Sequence, residues 1–507
     1  MKKWKRFYAS SALLHEMRRL HAPKSHLPSK KINGRRAPRR VFPKRKKARS
    51  DAAAAAADRL SNLPTPLLHH ILSFLPTNFA VQTCLLSKTW QNLWHSIHSL
   101  DLDEKIFPSI TTTSNEQQQR KKTQFPDFVH QLLLRRDGSN LKKFRLCLDC
   151  SPASHADRWL CYAAEHSVQE IEMKMGPYTT AFPGVRRCLP HLLFACESLV
   201  DIKLQGLLKL PDSRINLPNL QSLKLDFCTI PNTCIQQIFP CCPKLNVLHL
   251  KHCTLLNAEI FDVSCCPCLE TLILEWNRFD HIKRINISAP QLKSLIITNY
   301  YGRYCSPLKI SAPNLLHLEY NGHMPKEFCI ENLQNLLDAV ASWDAVPSGA
   351  SGREFRKGLL RVGTQEILSG VTDLKMHLPT SFSNLKFLEL VFVTSKIDAF
   401  EAITLLLKFC PYIETLVIEM KINDGGCQES EYYPREWKLN KLKVVEIKQF
   451  EGSHIELKLI KLLLKSAMVL ERMIFTAPKL DLQKLKEISL KLQTYPRASL
   501  QMLTLIF

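Results

Sequence analysis

Glycine is scarce in this chain, 15 of 507 residues, which excludes collagen-like and glycine-rich low-complexity character. No uninterrupted apolar run approaches the roughly 18 residues of a membrane-spanning helix, so an integral membrane protein is not expected. A secretory leader is not expected either. The first ten residues carry Lys2, Lys3, Lys5 and Arg6, and no apolar stretch follows, so the 18 cysteines are read as reduced thiols. Catalytic signatures are also absent: there is no His-Glu-x-x-His, Gly-x-Ser-x-Gly, Walker loop or Gly-x-Gly-x-x-Gly. Acids such as Glu275, Glu389 and Glu419 alternate with apolar residues, which fits a solvated sheet face better than an acid–base pair. Intrinsic catalysis, a cofactor and a metal are therefore not expected.

Acidic residues are almost absent from one end. Residues 1–50 hold 18 lysines and arginines against Glu16 alone, a balance of +17, while the other 457 residues hold 51 against 45. The protein is thus a nearly neutral body carrying a basic arm. Residues 1–57, punctuated by Pro23, Pro28, Pro38 and Pro43 and ending in the run Ala52–Ala57, bury too little apolar surface to offset their ordering entropy. A disordered arm is expected. Its densest cluster, Lys44, Arg45, Lys46 and Lys47, suits a nuclear-import receptor. A solvated charge run and a transit peptide are the competing readings.

From Asp58 onward apolar residues return at helical spacing: Leu60, Leu63, Leu67, Leu68, Ile71, Leu72 and Leu75. Pro64 and Pro66 mark a helix start, and Pro76 a stop. A second set runs Val81, Cys84, Leu85, Leu86, Trp90, Leu93 and Trp94. About 40 residues cannot build a generous core, so this unit should bury apolar surface against something else. Residues 101–126, with Thr111–Thr113, Gln117–Gln119 and Arg120-Lys121-Lys122, read as a polar linker.

The remainder repeats. Leu220-x-x-Leu223-x-Leu225 recurs as Leu245-x-x-Leu248-x-Leu250, Leu269-x-x-Leu272-x-Leu274, Leu292-x-x-Leu295-x-Ile297 and Leu315-x-x-Leu318-x-Tyr320. It recurs again from Leu385, Ile413 and Leu442, and prolines 218, 243, 267, 290 and 313 keep the period. These are leucine-rich repeats, each supplying one strand of a curved sheet. Between residues 321 and 370 the register fails, and an irregular insertion is expected. Cys242, Cys266 and Cys410 stand where Ala289 and Ala312 stand in other repeats, and Cys228 and Cys253 stand where Asn277 does. Cysteines interchangeable with alanine or asparagine are packing or turn residues, not metal ligands.

Leu63-Pro64, Ile71-Leu72-Ser73-Phe74-Leu75-Pro76, Leu86-Ser87-Lys88 and Trp90 through Trp94 resemble the F-box of plant F-box proteins. Leu442–Ile447, Phe450, Gly452-Ser453 and Leu470-Glu471-Arg472-Met473 are similar to the FBD domain of the plant F-box/LRR family. The expected fold is α/β: a short helical F-box followed by a curved leucine-rich-repeat solenoid, behind the basic arm. The expected domains are an arm (1–57), an F-box (58–100), a linker (101–126), repeats (127–434), an FBD-like region (435–480) and a cap or tail (481–507). The resemblance implies a non-catalytic receptor subunit of an SCF-type (cullin–RING) ubiquitin ligase, nuclear or cytoplasmic. Its F-box would dock a Skp1-like adaptor, and through it a cullin, using Leu63, Pro64, Leu67, Ile71, Leu72, Leu75, Leu86 and Trp90.

Alternation within each repeat strand sends the leucines inward and the residues between them to the concave face. Substrate-binding candidates there are Lys224, His249, Lys251, Glu275, His317, Glu319, Glu389, Glu419 and Glu446. None of these rungs carries an arginine, so a target gripped through phosphate is not expected. Two rival classes remain open: a repeat scaffold unrelated to ubiquitin, with the helices as its cap, and a nucleic-acid binder driven by the arm. The near-neutral body argues against specific nucleic-acid binding, and no membrane partner is expected.

Overall fold

A computed structural model describes residues 60–107, 114–149, 153–176, 187–278, 281–299, 306–322, 327–344, 375–377, 382–393, 399–420, 438–477, 480, 482–499 and 504–506. The basic arm and the Lys44–Lys47 cluster lie outside the described residues. The chain divides into two compact units, Met1–Pro183 and Gly184–Phe507. No helix among the described residues is long and apolar enough to cross a membrane.

The first unit opens with helix α1, Thr65–Ser73. Pro64 is its N-cap and Pro66 lies in its first turn, where a missing N–H costs nothing. Pro76 then caps α2, Thr77–Gln82, so one proline both ends the first helix and starts the second. Three single-turn segments carry the chain to β1, Ser99–Asp103. Helix α3, Ser114–Arg135, leads to β2, Lys143–Leu148; α4, Ala156–Glu165, leads to β3, Glu170–Met175. The three strands are parallel, with Ser99 opposite Lys143 and Lys143 opposite Glu170.

The linker expectation for residues 101–126 is corrected here, since α3 occupies half of it. Gln117–Arg120 and Lys121-Lys122 are polar, but glutamine, lysine and arginine are good helix formers. The same helix then buries Phe125, Phe128, Val129 and Leu132.

The second unit is a solenoid-like α/β repeat whose main sheet does not close. Its parallel strands follow chain order: β4 Asp201–Gln205, β5 Ser222–Asp226, β6 Val247–Lys251, β7 Thr271–Glu275, β8 Ser294–Asn299, β9 His317–Gly322 and β10 Asp338–Asp344. After them come β11 Phe387–Val393, β12 Thr415–Met420, β13 Val444–Lys448, β14 Arg472–Phe475 and β15 Thr504–Ile506. Leucines at the second and fourth strand positions are buried, and positions one, three and five are half-exposed. The return segments form short parallel strands, such as Arg284–Ser288 beside Leu308–Ser311. Elsewhere they form helices: α5 Asn232–Cys241, α6 Ala399–Lys408 and α7 His454–Ser466.

Side chains bind successive turns together. Asn277 accepts from the Cys253 N–H and donates to the Leu250 carbonyl, both at 2.8 Å. Asn314 and Asn335 each donate to a carbonyl one repeat back, at 2.9 Å. Cys228 and Cys253, at the Asn277 position, are buried with their thiols against backbone carbonyls. Burial pushes the Cys266 thiol up to about 11 and the Cys242 thiol up to about 12. Protonated thiols in these places pack; they do not attack.

Of the irregular insertion expected over residues 321–370, the part around β10 is corrected, because β10 is a regular rung, while residues 323–326 and 345–370 lie outside the described residues. Asp338 pairs in register with His317 on one side and Phe387 on the other. Its core positions are Ala339 and Ala341, where other repeats have leucine, so the Leu336-x-x-Ala339-x-Ala341 rung does not read as a leucine repeat. The residues after 480 continue the architecture with α8, Leu482–Gln493, and β15, which pairs with β14.

Candidate functional site

Two surfaces collect the candidate residues, one in each unit. In the first unit, α1 splits its apolar residues between core and solvent. Leu68 and Leu72 are fully buried, while Leu67 is 50% exposed, and Phe74, just past the helix, is 73% exposed. Leu60, Leu75, Leu85 and Leu86 are exposed as well. Trp90 is buried, and its indole N–H donates to Ser61 Oγ at 3.0 Å, tying the segment before α1 to the segment after α2. Thr77, buried at the start of α2, accepts from the Asp101 N–H at 2.7 Å and fixes these helices on β1.

The eight adaptor candidates therefore part into three groups. Pro64, Leu67, Leu75 and Leu86 are exposed, Leu63 and Ile71 are half-buried, and Leu72 and Trp90 belong to the core. Phe74, Leu60 and Leu85 were not among the candidates, yet they are exposed on the same short unit. The helical stripe was their signal, since it includes or borders each of them. Six large apolar side chains left in water on so small a unit are what a docking surface needs.

In the second unit the register aligns the front-face residues in columns. Lys224, His249, Glu319, Glu389 and Glu446 share the third strand position, and Lys251, Glu275 and Glu419 the fifth. His317 stands at the first position, against Asp338 of the rung missed in the sequence. Few of these charges stand alone. Lys251 lies 2.9 Å from the Glu275 carboxylate and His249 3.6 Å from it. Burial alone would raise the Glu275 pKa, but hydrogen bonding and charge from Lys251, with help from His249, hold it below its ordinary value. Glu389 is bridged at 2.7 Å by Lys448, which reaches across β12 from the fifth position of β13. On the later face this ion pair lies among strands that carry the half-exposed Val340, Phe387 and Val444. The next rung, β14, adds Arg472 to the first column.

One feature of this face has no counterpart among the candidates. Phe227, His252 and Trp276 each follow the last residue of a strand and adopt the left-handed backbone, with φ of 59°, 49° and 53°. Their N–H groups continue the interstrand ladder, as from Phe227 to the Lys251 carbonyl at 2.9 Å. The rings stack along the repeats, Phe227 on His252 at 4.4 Å and His252 against Trp276 at 6.5 Å. The Asp226 carboxylate holds His252 Nδ1 at 3.2 Å. The signal was the recurrence of an aromatic ring directly after Asp226, Lys251 and Glu275.

Apolar residues open to water on one unit and a braced polar face on the other describe a chain built to hold other proteins. The F-box domain family matches residues 60–101. The LRR repeats of FBD-associated F-box protein At5g56370 match residues 156–328, and the FBD family matches residues 438–475. The F-box protein At3g03040 of Arabidopsis thaliana is 27% identical over 378 residues, 71% of this chain and 76% of its own length. The F-box/LRR-repeat protein At3g58940 of the same plant is 27% identical over 445 residues, 84% of this chain and 66% of its own. The putative F-box/FBD/LRR-repeat protein At1g66290 is 25% identical over 482 residues, covering 87% and 92%. The chain carries the F-box, LRR and FBD domains of the plant F-box/FBD/LRR-repeat proteins, and Arabidopsis proteins of that family are its homologues. Its role is protein interaction of the F-box adaptor type.

Proposed function

We propose that the chain is the substrate-recognition subunit of an SCF-type, cullin–RING ubiquitin ligase. The F-box helices dock a Skp1-like adaptor, and the front face of the repeats holds the target. Ligation in such an assembly works by proximity: the receptor holds a target lysine where the charged E2 can reach it, which raises its effective concentration. That division of labour needs two binding faces and no nucleophile on the receptor. The observation that carries the reading is the exposure of Leu67, Phe74, Leu75 and Leu86 beside the buried Leu72 and Trp90. A helix serving only to cap the solenoid would have turned that stripe inward.

The experiment is co-purification with a Skp1-type protein. Leu67→Ser with Phe74→Ser should abolish adaptor recovery while the repeats stay folded, because neither residue belongs to the core. Undiminished recovery would remove the adaptor reading and leave a repeat scaffold unconnected to ubiquitin. For the compartment, Lys44–Lys47 is read as a nuclear-import signal that divides the protein between nucleus and cytoplasm. Alanine at Lys44, Arg45, Lys46 and Lys47 should move a fluorescent fusion out of nuclei; an unchanged distribution would return the cluster to a solvated charge run.

A further inference from the structure

The near-neutral charge of the body conceals a second concentration. Residues 438–507 hold 13 lysines and arginines against 6 acids, a balance of +7, whereas residues 51–437 hold 38 against 39. On α7 the acid is Glu456, buried and committed to the helix cap, while Lys461 and Lys465 are exposed. On α8 Lys484, Lys486 and Lys491 are exposed, with Glu487 the acid among them.

Packing brings part of this charge together. Lys461 Nζ lies 5.9 Å from the centre of the Tyr495 ring. The Ala498 N–H donates to the Leu464 carbonyl at 2.9 Å, which sets Arg497 beside Lys465. Lys491 stands one turn before Tyr495, whose N–H returns to the Leu492 carbonyl at 3.3 Å. Lys461 thus lies at the Tyr495 ring, and the exposed Lys465, Lys491 and Arg497 belong to the segments that these bonds join. Glu487, one turn before Lys491, and Glu471, next to the Leu470 carbonyl to which the Ser499 hydroxyl donates, are the acids that neighbour these segments. Elsewhere in the same unit Lys441 lies 5.4 Å from the centre of the Tyr412 ring, and Lys458 4.7 Å from that of Phe400.

We propose that this cation–aromatic face on α7, α8 and the segment after α8 binds the phosphodiester backbone of single-stranded nucleic acid, independently of base sequence. Ammonium groups act as point charges, which suits a chain of phosphates and reads no base edge. The half-exposed Tyr495 ring beside Lys461 offers a face to an unpaired base. An acidic peptide is better gripped by the bidentate fork of arginine, and here lysines outnumber arginine three to one. An anionic membrane would require an apolar face beside the cations, and among the described side chains of α8 Leu490 is the one large apolar group left exposed. The inference is independent of the ubiquitin-ligase reading, since it uses no F-box residue and none of the front-face candidates.

The test is fluorescence anisotropy of the full chain with a labelled 20-nucleotide RNA of mixed sequence, between 50 and 200 mM salt. The arm binds phosphate too, so the comparison is between the native chain and a variant carrying Lys461→Ala, Lys465→Ala, Lys491→Ala and Arg497→Ala. Each phosphate contact adds about 0.7 to the slope of log affinity against log salt for a single strand, so four lost contacts lower the slope by about 2.8. Over that fourfold salt range the native chain should lose roughly fifty-fold more affinity than the variant. Arginine at the three lysine positions should restore the slope, which separates lost charge from lost folding. Equal slopes for native and alanine proteins would assign all binding to the arm and overturn the proposal. It is equally overturned if polyglutamate of matched charge displaces the RNA, or if phosphatidylserine vesicles are bound and RNA is not.

Discussion

Leu67 and Leu272 are the same residue type placed on opposite sides of the same physical choice. In the repeats every inward leucine is covered by the rung before it and the rung after it, so Leu223, Leu248 and Leu272 lose essentially all contact with water. The F-box helices divide their apolar residues instead. Leu68, Leu72 and Trp90 use up the interior that a short unit can build, and Leu67 and Phe74 stay outside. Burial in a solenoid is inherited from adjacent units; in a short helical module it is rationed, and the remainder is available to a partner. The comparison predicts that one substitution, leucine to alanine, acts on stability in one region and on association in the other.

The largest effect is expected in the repeats. Leu272→Ala removes a fully buried side chain and should cost about 2–5 kcal/mol, lowering the thermal midpoint by several degrees. Leu67→Ala should stay within about 0.5 kcal/mol of the native protein in stability, as exposed substitutions do. It should nevertheless weaken adaptor binding by roughly thirtyfold, equivalent to the ~2 kcal/mol of an interface anchor. Calorimetry and adaptor titration on both variants check the pair. If Leu67→Ala lowers the midpoint as far as Leu272→Ala does, the contrast between the two regions collapses.

A smaller effect is expected on the front face, where the candidate residues are half-buried charges. Reversing Glu389 and Glu419 to lysine should reduce target recovery about tenfold, the worth of ~1.4 kcal/mol, and leave adaptor recovery unchanged. Glu389 is not a free charge, because Lys448 bridges it at 2.7 Å. Adding Lys448→Glu to Glu389→Lys should therefore restore the local pair and part of the binding. Unchanged recovery from the double reversal would remove this face from target binding, and loss after phosphatase treatment of the target would bring Arg472 forward instead.

The repeats were legible because Leu-x-x-Leu-x-Leu announces an inward pair wherever it falls. The rung Asp338–Asp344 was not, because Ala339 and Ala341 occupy the same positions and alanine carries no comparable signal. The residues 114–126 were misread for the opposite reason: polarity suggested a linker, although the residue types favour a helix, which buries Phe125, Phe128, Val129 and Leu132. On α1 the stripe was visible, but Leu67 and Leu68 are adjacent letters about 100° apart on the helix, and their opposite fates depend on what each faces. The pairing of Lys448 with Glu389 joins residues far apart in sequence and two strands apart in the sheet, which no spacing rule reports.

The smallest effect belongs to a buried acid that the repeat end retains for its own folding. Glu456 is buried at the third position of α7, where it accepts from the Ser453 N–H at 2.7 Å while Ser453 Oγ accepts from the Glu456 N–H at 3.3 Å. Burial raises its pKa; the bonds from Ser453 and Glu451 offset only part of that. A raised value in the folded state means that the native protein binds this proton more readily than the unfolded chain does. The stability it brings is fully present below the unfolded carboxyl value and is lost as pH rises through the folded one. Glu456→Gln keeps a side-chain acceptor for the cap and removes the buried charge, so at pH 7 it should stabilise the protein by less than about 1 kcal/mol. Its advantage should shrink on going from pH 7 towards pH 4, where the native carboxyl is protonated. Ser453→Ala, by contrast, should cost about 1 kcal/mol at both pH values, the usual worth of a helix cap. Thermal melts of the three proteins at the two pH values decide it: if Glu456→Gln melts below the native protein at pH 7, the charged cap outweighs the cost of burying it.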